Sequence, residues 1–153
     1  MNAKTILVPV DFSDATPRVC DVAKSVAAAF GGKLILLHVE QPAPEYVSFE
    51  AGAPLVPMHV PTSSAAWRER LEELQQPLLR AGLDVSVVHG FGDAVSETLR
   101  EARAHAADLI VIGSHGHGAL YNLLVGSVTS GVLKEARCPV LVVPAREVRS
   151  ETA

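Results

Sequence analysis

The sequence has few of the features that mark a disulfide-bonded, zinc-binding or membrane-spanning protein. Its only two cysteines, Cys20 and Cys138, are far apart and form no CxxC or Cys/His pattern, which argues against a disulfide framework and a zinc site. No stretch approaches the roughly 20 apolar residues that cross a bilayer. The apolar run from Ile6 to Val10 stops at Asp11, too early for a signal peptide. We therefore expect a cytoplasmic protein with reduced thiols and no membrane partner.

Positive charge is also scarce. Thirteen Lys and Arg stand against seventeen Asp and Glu, which gives a net charge of −4, and the basic residues are scattered along the chain. No nucleic-acid partner is expected, because nucleic-acid-binding surfaces concentrate basic residues. The length of 153 residues and the hydrophobic content of 48% instead predict one globular domain that folds without a disulfide or a structural metal.

Five short apolar segments of strand length alternate with segments of helical period. Four of the five are almost continuously apolar, which is typical of parallel strands covered on both faces, whereas the third is mixed and fits a sheet edge. The alternation predicts a single doubly wound α/β domain, with five parallel strands, right-handed crossovers and helices on both faces. The predicted strands are residues 5–10, 33–39, 84–89, 108–112 and 139–143.

Four helices are predicted between these strands, bounded by residues suited to helix ends. Pro77 falls inside the apolar stripe of the second helix and should kink or end it. The stretch from Glu40 to Thr62 contains five of the ten prolines and no periodicity, which predicts a long loop that is either functional or disordered. The residues that begin or end the other helices are Pro17, Gly31, Gly32, Asp93, Gly126 and Ser127.

Ligands of an open α/β sheet bind beyond the carboxyl ends of its strands, so the residues that leave those ends are candidates for a site. The first strand is followed by Asp11, and the fourth by the sequence GSHGHG, which starts at Gly113. Glycine adopts positive φ readily and lets an anion approach backbone N–H groups, and a helix that starts at Ser127 adds further donors. Four glycines and this hydroxyl favour a phosphate cradle over a simple turn.

Three common motifs do not fit this cradle. Ala119 and Leu120 stand where a P-loop requires Lys and Ser or Thr, and Tyr121 replaces the third glycine of a dinucleotide fingerprint. Gly113 directly precedes Ser114, so the GxSxG spacing of a hydrolase is absent. The phosphate cradle therefore belongs to none of these motifs.

The spacing resembles the ATP-binding branch of the universal stress protein family. That branch carries Gly, two residues, Gly, nine residues, then Gly followed by Ser or Thr, and Gly113, Gly116, Gly126 and Ser127 match it. The segments ILVPVDFS, LHV and CPVLVVP are similar to the family's first, second and fifth strands. The resemblance covers nearly the whole chain. It implies a nucleotide-binding domain over residues 1–145, with 40–62 as a variable loop and 146–153 as a charged tail.

The resemblance also implies a sheet of order 3-2-1-4-5, with the exits of strands 1 and 4 side by side, and a nucleotide site at that point. Asp11 would meet the ribose or the adenine edge, Pro9 and Val39 would border the adenine, and His115 would contribute through its backbone or ring. Mg²⁺ or Mn²⁺ would be held mainly by the phosphates. The residues implied to surround the phosphates are Gly113, Gly116, Gly126, Ser127 and Val128.

Alternatives remain open at some of these positions. Asp11 would also suit a residue that only starts the first helix, with Ser13 or Asp14 as the cap. His115 and His117 have no nearby carboxylate or cysteine in the sequence, so no metal site formed by the protein is predicted. Four further residues are interpreted as structural: His38, His89, Trp67 and Cys138.

The favoured function is an ATP-binding stress-response regulatory module with an unknown protein partner and slow or no hydrolysis. The alternatives are a slow ATPase or phosphoryl-transfer enzyme and a nucleotide-independent interaction module. No Lys or Arg lies between Gly113 and Ser127 to clamp phosphates, so no catalytic residue is predicted. The apolar run from Pro139 to Pro144 would lie at a sheet edge in the implied order, which predicts a homodimer by antiparallel pairing.

Overall fold

The computed structural model describes residues 3–42, 45–47, 56–58, 64–114 and 125–145. Strands and helices alternate along most of this part of the chain. The helices are α1 (Thr16–Phe30), α2 (Ser64–Arg80), α3 (Ala94–Ala104) and α4 (Ser127–Glu135). The strands are β1 (Thr5–Pro9), β2 (Lys33–Glu40), β3 (Glu45–Val47), β4 (Val56–Met58), β5 (Val85–Phe91), β6 (Leu109–Gly113) and β7 (Val140–Val143).

Five of these strands form one sheet in the order β5-β2-β1-β6-β7, and every pairing in it is parallel. If only these five strands are numbered, in chain order, the order across the sheet is 3-2-1-4-5. This order confirms the predicted doubly wound α/β fold. The chain leaves β1 for β2 on one side and later returns to β6 on the other. The carboxyl ends of β1 and β6 therefore form the topological switch point of the sheet.

Both faces of the sheet are buried, which explains the continuously apolar strands. Ile6 and Val8 of β1 are fully buried in a first core with residues of α1 and α2, whereas Leu7 is fully buried in a second core with residues of α3 and α4. Successive side chains of a strand point to opposite faces, so each central strand supplies both cores. Burial of each such side chain stabilises the fold by about 1.5–3 kcal/mol.

The predicted helix ends are mostly confirmed. Pro17 lies in the first turn of α1, which ends at Gly31 with a φ of 59° in the left-handed region that glycine favours. The Asp93 carboxylate accepts a hydrogen bond from the Ser96 N–H at 2.8 Å and caps α3. Gly126 is the N-cap residue of α4. The N-cap residue of α1, however, is Ala15 and not Ser13 or Asp14, the two predicted residues.

Pro77 lies in the last turn of α2, which ends near it at Arg80, and Leu71 and Leu78 are buried in the first core on either side of Pro77. One expectation about proline needs correction. The stretch predicted as a loop without strands contains β3 and β4, which pair antiparallel. Each is three residues long, too short to show a period, and Pro57 is tolerated because a two-stranded ribbon consists of edge strands.

Both cysteines are free thiols, as predicted. Cys20 is buried in the first core, and burial, together with the neighbouring Asp21, raises its pKa to about 11. Cys138 is half-buried beside the second core, and this burial raises its pKa. Neither thiol is a reactive thiolate at neutral pH. No helix in the described part of the chain is long and apolar enough to span a membrane.

Candidate functional site

The candidate site lies at the switch point, where the chain leaves β6 and where α4 begins. Ser114 directly follows β6, and its N–H donates to the Val143 carbonyl of the edge strand at 2.7 Å. The Ser114 carbonyl accepts the N–H of Gly126 at 2.7 Å. Its hydroxyl accepts the N–H of Ala145 at 3.1 Å. Ser114 therefore brings the start of α4 back to the end of β6.

The backbone N–H groups at the start of α4 lie close to the end of β6, because Gly126 is hydrogen-bonded to Ser114. No side chain among the described residues caps the first turn, which begins with the exposed Ser127 and the half-buried Val128. The first N–H groups of a helix have no partner within the helix, and the helix dipole places positive charge at this end. The end of β6 and the start of α4 are thus suited to an anion.

Glycine is not required at Gly126 for backbone conformation. Its φ of −73° and ψ of 166° are extended values that any residue adopts. Its N–H is already bonded to Ser114, so it does not serve as a free donor. Glycine was expected at this position either for a positive φ or for the close approach of an anion, and Gly126 does not have a positive φ. The absence of a side chain beside a ligand is the property that remains.

Asp11 takes part in the turn from β1 to α1. One carboxylate oxygen, Oδ1, accepts hydrogen bonds from the Ser13 N–H at 3.0 Å and from the Thr16 hydroxyl at 3.3 Å. These bonds support the alternative in which Asp11 organises the start of the first helix. The side chain is also exposed at the switch point. Asp11 therefore shapes the turn at the carboxyl end of β1.

An apolar surface adjoins these groups on the α3 and α4 side of the sheet. Val39 and Val128 are half-buried and both pack against the second core. Pro9 lies two residues after Leu7 of the second core, so the strand period places it on the same side. Gly90 lets Val39 and Glu97 pack closely, since a Cβ there would lie 3.4 Å from Val39 Cγ2 and 3.1 Å from Glu97 Oε2. The surface suits a flat apolar group such as a base.

The structure brings seven of the nine predicted site residues to this carboxyl edge. The other two, His115 and Gly116, lie outside the described residues. The described part of the chain contains no group of three or more His, Cys, Asp and Glu residues arranged to hold a metal ion. The seven residues at the edge are Pro9, Asp11, Val39, Gly113, Gly126, Ser127 and Val128.

Sequence reasoning gave no role to two hydroxyl residues that build the site. One is Ser114, for which the available signal is its position two residues after a predicted strand. The other is Thr129, which is buried and donates from its hydroxyl to the Gly113 carbonyl at 2.7 Å. A Thr in the first turn of a predicted helix is not informative in sequence alone, because its partner carbonyl lies in another element.

Aromatic and histidine side chains pack on the opposite side of the sheet, below the same edge. We call Phe12, His38, His89 and Trp67 the histidine cluster. Trp67 stacks on His89 with ring centroids 3.7 Å apart, and the His38 ring lies 6.0 Å from His89 and 4.5 Å from Phe12. Burial, followed by the nearby His38, lowers the pKa of His89, and Glu40 at 3.4 Å opposes this effect.

Comparison with known proteins identifies the family. The sequence model of the Universal stress protein family matches residues 2–144. The chain belongs to this family. It is 34% identical over 145 residues to a universal stress protein from Thermus aquaticus, with 92% of this chain and 98% of that protein covered.

Solved universal stress proteins share the fold. The structure superposes on UspA from Lactobacillus plantarum with a TM-score of 0.76 at 25% identity, covering 94% of this chain and 99% of that one. It superposes on a universal stress protein in complex with cAMP with a TM-score of 0.71 at 26% identity, covering 95% of this chain and 100% of that one. A nucleotide is therefore a ligand of at least one similar family member.

Proposed function

We propose that this universal stress protein is a regulatory module that binds ATP at the switch point and passes its nucleotide state to a protein partner. One observation carries the proposal. The start of α4, which has no side-chain cap among the described residues, meets the end of β6 at the switch point, and Asp11 leaves β1 at the same point. Pro9, Val39 and Val128 form an apolar surface there, on the α3 and α4 side of the sheet. An anion-binding helix start next to an apolar surface matches the two ends of a nucleotide.

The polar groups divide into two roles in this proposal. The N–H groups of Ser127 and Val128 would bind phosphate oxygens, with Gly113 and the absent side chain of Gly126 leaving space for them. Gly116 and His115 would complete the phosphate cradle, as the glycine spacing of the family implies. The exposed Asp11 would accept from a ribose hydroxyl or meet the adenine edge. The hydrogen bonds that Asp11 accepts from Ser13 and Thr16 in the turn would keep its carboxylate in place.

The apolar surface would hold the adenine. Pro9 and Val39 border it from adjacent strands, β1 and β2, which pair in register with Pro9 opposite Leu37. The cAMP complex of a relative supports an adenine nucleotide as the ligand class. The glycine spacing that continues to Gly126 and Ser127 favours the triphosphate over a cyclic nucleotide.

A divalent cation fits this site only together with the phosphates. Ser127 supplies a hydroxyl at the start of α4, but the described residues offer no set of three side-chain ligands. Mg²⁺ or Mn²⁺ would therefore be held mainly by phosphate oxygens and water, and its role would be to neutralise phosphate charge.

We propose slow or absent hydrolysis. Efficient phosphoryl transfer needs a positive clamp and a residue that orients the nucleophile, and no Lys or Arg lies between Gly113 and Ser127. Single-turnover release of phosphate from bound ATP measures this directly. A rate near 1 s⁻¹, in the range of working kinases, would instead favour the enzyme alternative.

Mass spectrometry of the nucleotide released from freshly purified protein tests the ligand itself. Adenosine triphosphate is the expected species. Release of cAMP alone would move the proposal to a cyclic-nucleotide sensor with the same adenine contacts. If nucleotide-free protein also fails to bind either compound, the nucleotide-independent interaction module takes the place of this proposal.

A further inference from the structure

Val10 lies between β1 and Asp11, and both its backbone N–H and its backbone carbonyl form hydrogen bonds with residues of β2. The Val10 N–H donates to the Leu37 carbonyl at 2.8 Å, and the Val10 carbonyl lies 3.0 Å from Nδ1 of His38. A carbonyl only accepts, so Nδ1 of His38 carries the hydrogen and donates it. The residue directly before Asp11 is therefore anchored by the side chain of His38.

The residue directly after Asp11 also contacts His38. Phe12 has a φ of 58°, in the left-handed region that is disfavoured for any residue with a large side chain. Its ring lies 4.5 Å from the His38 ring, and the Arg70 guanidinium carbon lies 4.2 Å from its centroid. Contacts with His38 and Arg70 therefore hold Phe12 in a conformation that an isolated chain would leave.

His38 itself does not lie on the nucleotide side of the sheet. It follows Leu36 of the first core at strand period and contacts Phe12 and His89, whereas Val39 faces the second core. A nucleotide on the α3 and α4 side would therefore not touch His38. Any effect of His38 on that ligand passes through the turn that carries Asp11.

We propose that His38 is a positioning residue for nucleotide binding, which holds Asp11 in place by its hydrogen bond to the Val10 carbonyl and its contact with Phe12. The inference rests on the proposed function, because it assigns Asp11 to the nucleotide. It adds a residue on the other side of the sheet that tunes this contact. A substitution of His38 should therefore weaken ATP binding when Asp11 is present, and should have a smaller effect when Asp11 is replaced by Ala.

Two variants separate the hydrogen bond from the ring. His38→Phe keeps a flat ring against Phe12 and removes the donor. His38→Asn places an amide nitrogen near the position of Nδ1, so it keeps a donor. His89→Phe is the matched control, since it keeps an aromatic ring against Trp67 in the same cluster and has no bond to Val10. Urea unfolding of each variant at the temperature of the titration shows that all of them are folded there.

The measurement is calorimetric titration with ATP and Mg²⁺ in the wild-type and Asp11→Ala backgrounds. We expect His38→Phe to weaken binding about fivefold in the wild-type background, the size of one lost neutral hydrogen bond, and by less than about twofold in Asp11→Ala. His89→Phe should stay within about twofold of wild type. His38→Asn should bind with an affinity between those of wild type and His38→Phe, because it keeps the donor but loses the ring against Phe12. This pattern cannot result from a general loss of stability.

Other results overturn the inference. Equal affinity of wild type and His38→Phe contradicts it, as does an equal loss in both backgrounds or an equal loss in His89→Phe. If Asp11→Ala binds ATP as well as wild type does, the positioning role fails while nucleotide binding stands. If the wild type binds no nucleotide, both proposals are wrong.

Discussion

The hydroxyl of Thr129 donates to the carbonyl of Gly113 at 2.7 Å and thereby joins the first turn of α4 to the last residue of β6. Thr129 is buried, so water does not compete for this bond. The bond links the two parts of the chain that would surround the phosphates. It therefore connects the stability of the fold to the shape of the proposed site.

Thr129→Val should lower the free energy of unfolding by about 1 kcal/mol, because it removes this hydrogen bond and leaves the Gly113 carbonyl without it. It should also weaken ATP binding, because the start of α4 loses its attachment to β6. Urea denaturation and calorimetry measure the two effects. Thr129→Ser keeps the hydroxyl and is expected to behave nearly as wild type. An unchanged urea midpoint in Thr129→Val would contradict this account of the bond.

The arrangement of the main sheet was predictable because it depends on patterns that are local in sequence. Apolar runs such as Leu34 to Leu37 and the end signals at Gly31 and Asp93 give strands and helices directly, and alternation gives the parallel order. The adjacency of β1 and β6 came from the family resemblance and is confirmed.

The remaining features depend on contacts between distant residues and were not predictable. Strands β3 and β4 pair antiparallel although each is only three residues long, too short to show a period in the sequence. The φ of 58° at Phe12 depends on the rings and the guanidinium that surround it. Nothing in a single sequence pairs His38 with the Val10 carbonyl, because the two lie in different elements.

Leu141→Lys should convert a dimer into a monomer. In the described part of the chain β7 lies at one edge of the sheet, and Leu141 on it is 38% exposed, so a second copy would pair with the outer side of this strand. Leu79→Lys is the matched control, since Leu79 is 39% exposed on α2 and away from this edge. Sedimentation velocity separates the species. A wild type that stays monomeric at high micromolar concentration contradicts the predicted homodimer.

Acid should destabilise the protein partly through His89. Its pKa is lowered from the usual 6.5, first by burial and then by His38, so between the two values the folded state binds fewer protons than the unfolded state. The free energy of unfolding should therefore fall as the pH drops below about 6.5. His89→Gln is expected to reduce this dependence, measured by urea unfolding from pH 7.5 to about 5. An unchanged slope would remove His89 as a cause.

Trp67 provides an independent optical readout of the same titration. It is the only tryptophan of the chain and stacks on His89 at 3.7 Å with an interplanar angle of 3°. A protonated imidazole ring accepts an electron from an excited indole more readily than the neutral ring does, so protonation of His89 should quench the emission. The fluorescence step should lie below the ordinary pKa of histidine and should be absent in His89→Gln.

We claim that ATP binds where α4 meets β6, and calorimetric titration of nucleotide-free protein with ATP and Mg²⁺ measures this binding. Wild type should bind, and at one hundred times the dissociation constant ATP should add ~2.7 kcal/mol to stability. Gly126→Val should abolish binding while the protein stays folded, because valine readily adopts the φ of −73° and ψ of 166° found there. Asp11→Ala should reduce affinity less. The absence of binding heat and of a thermal shift in wild type at millimolar ATP would contradict the claim.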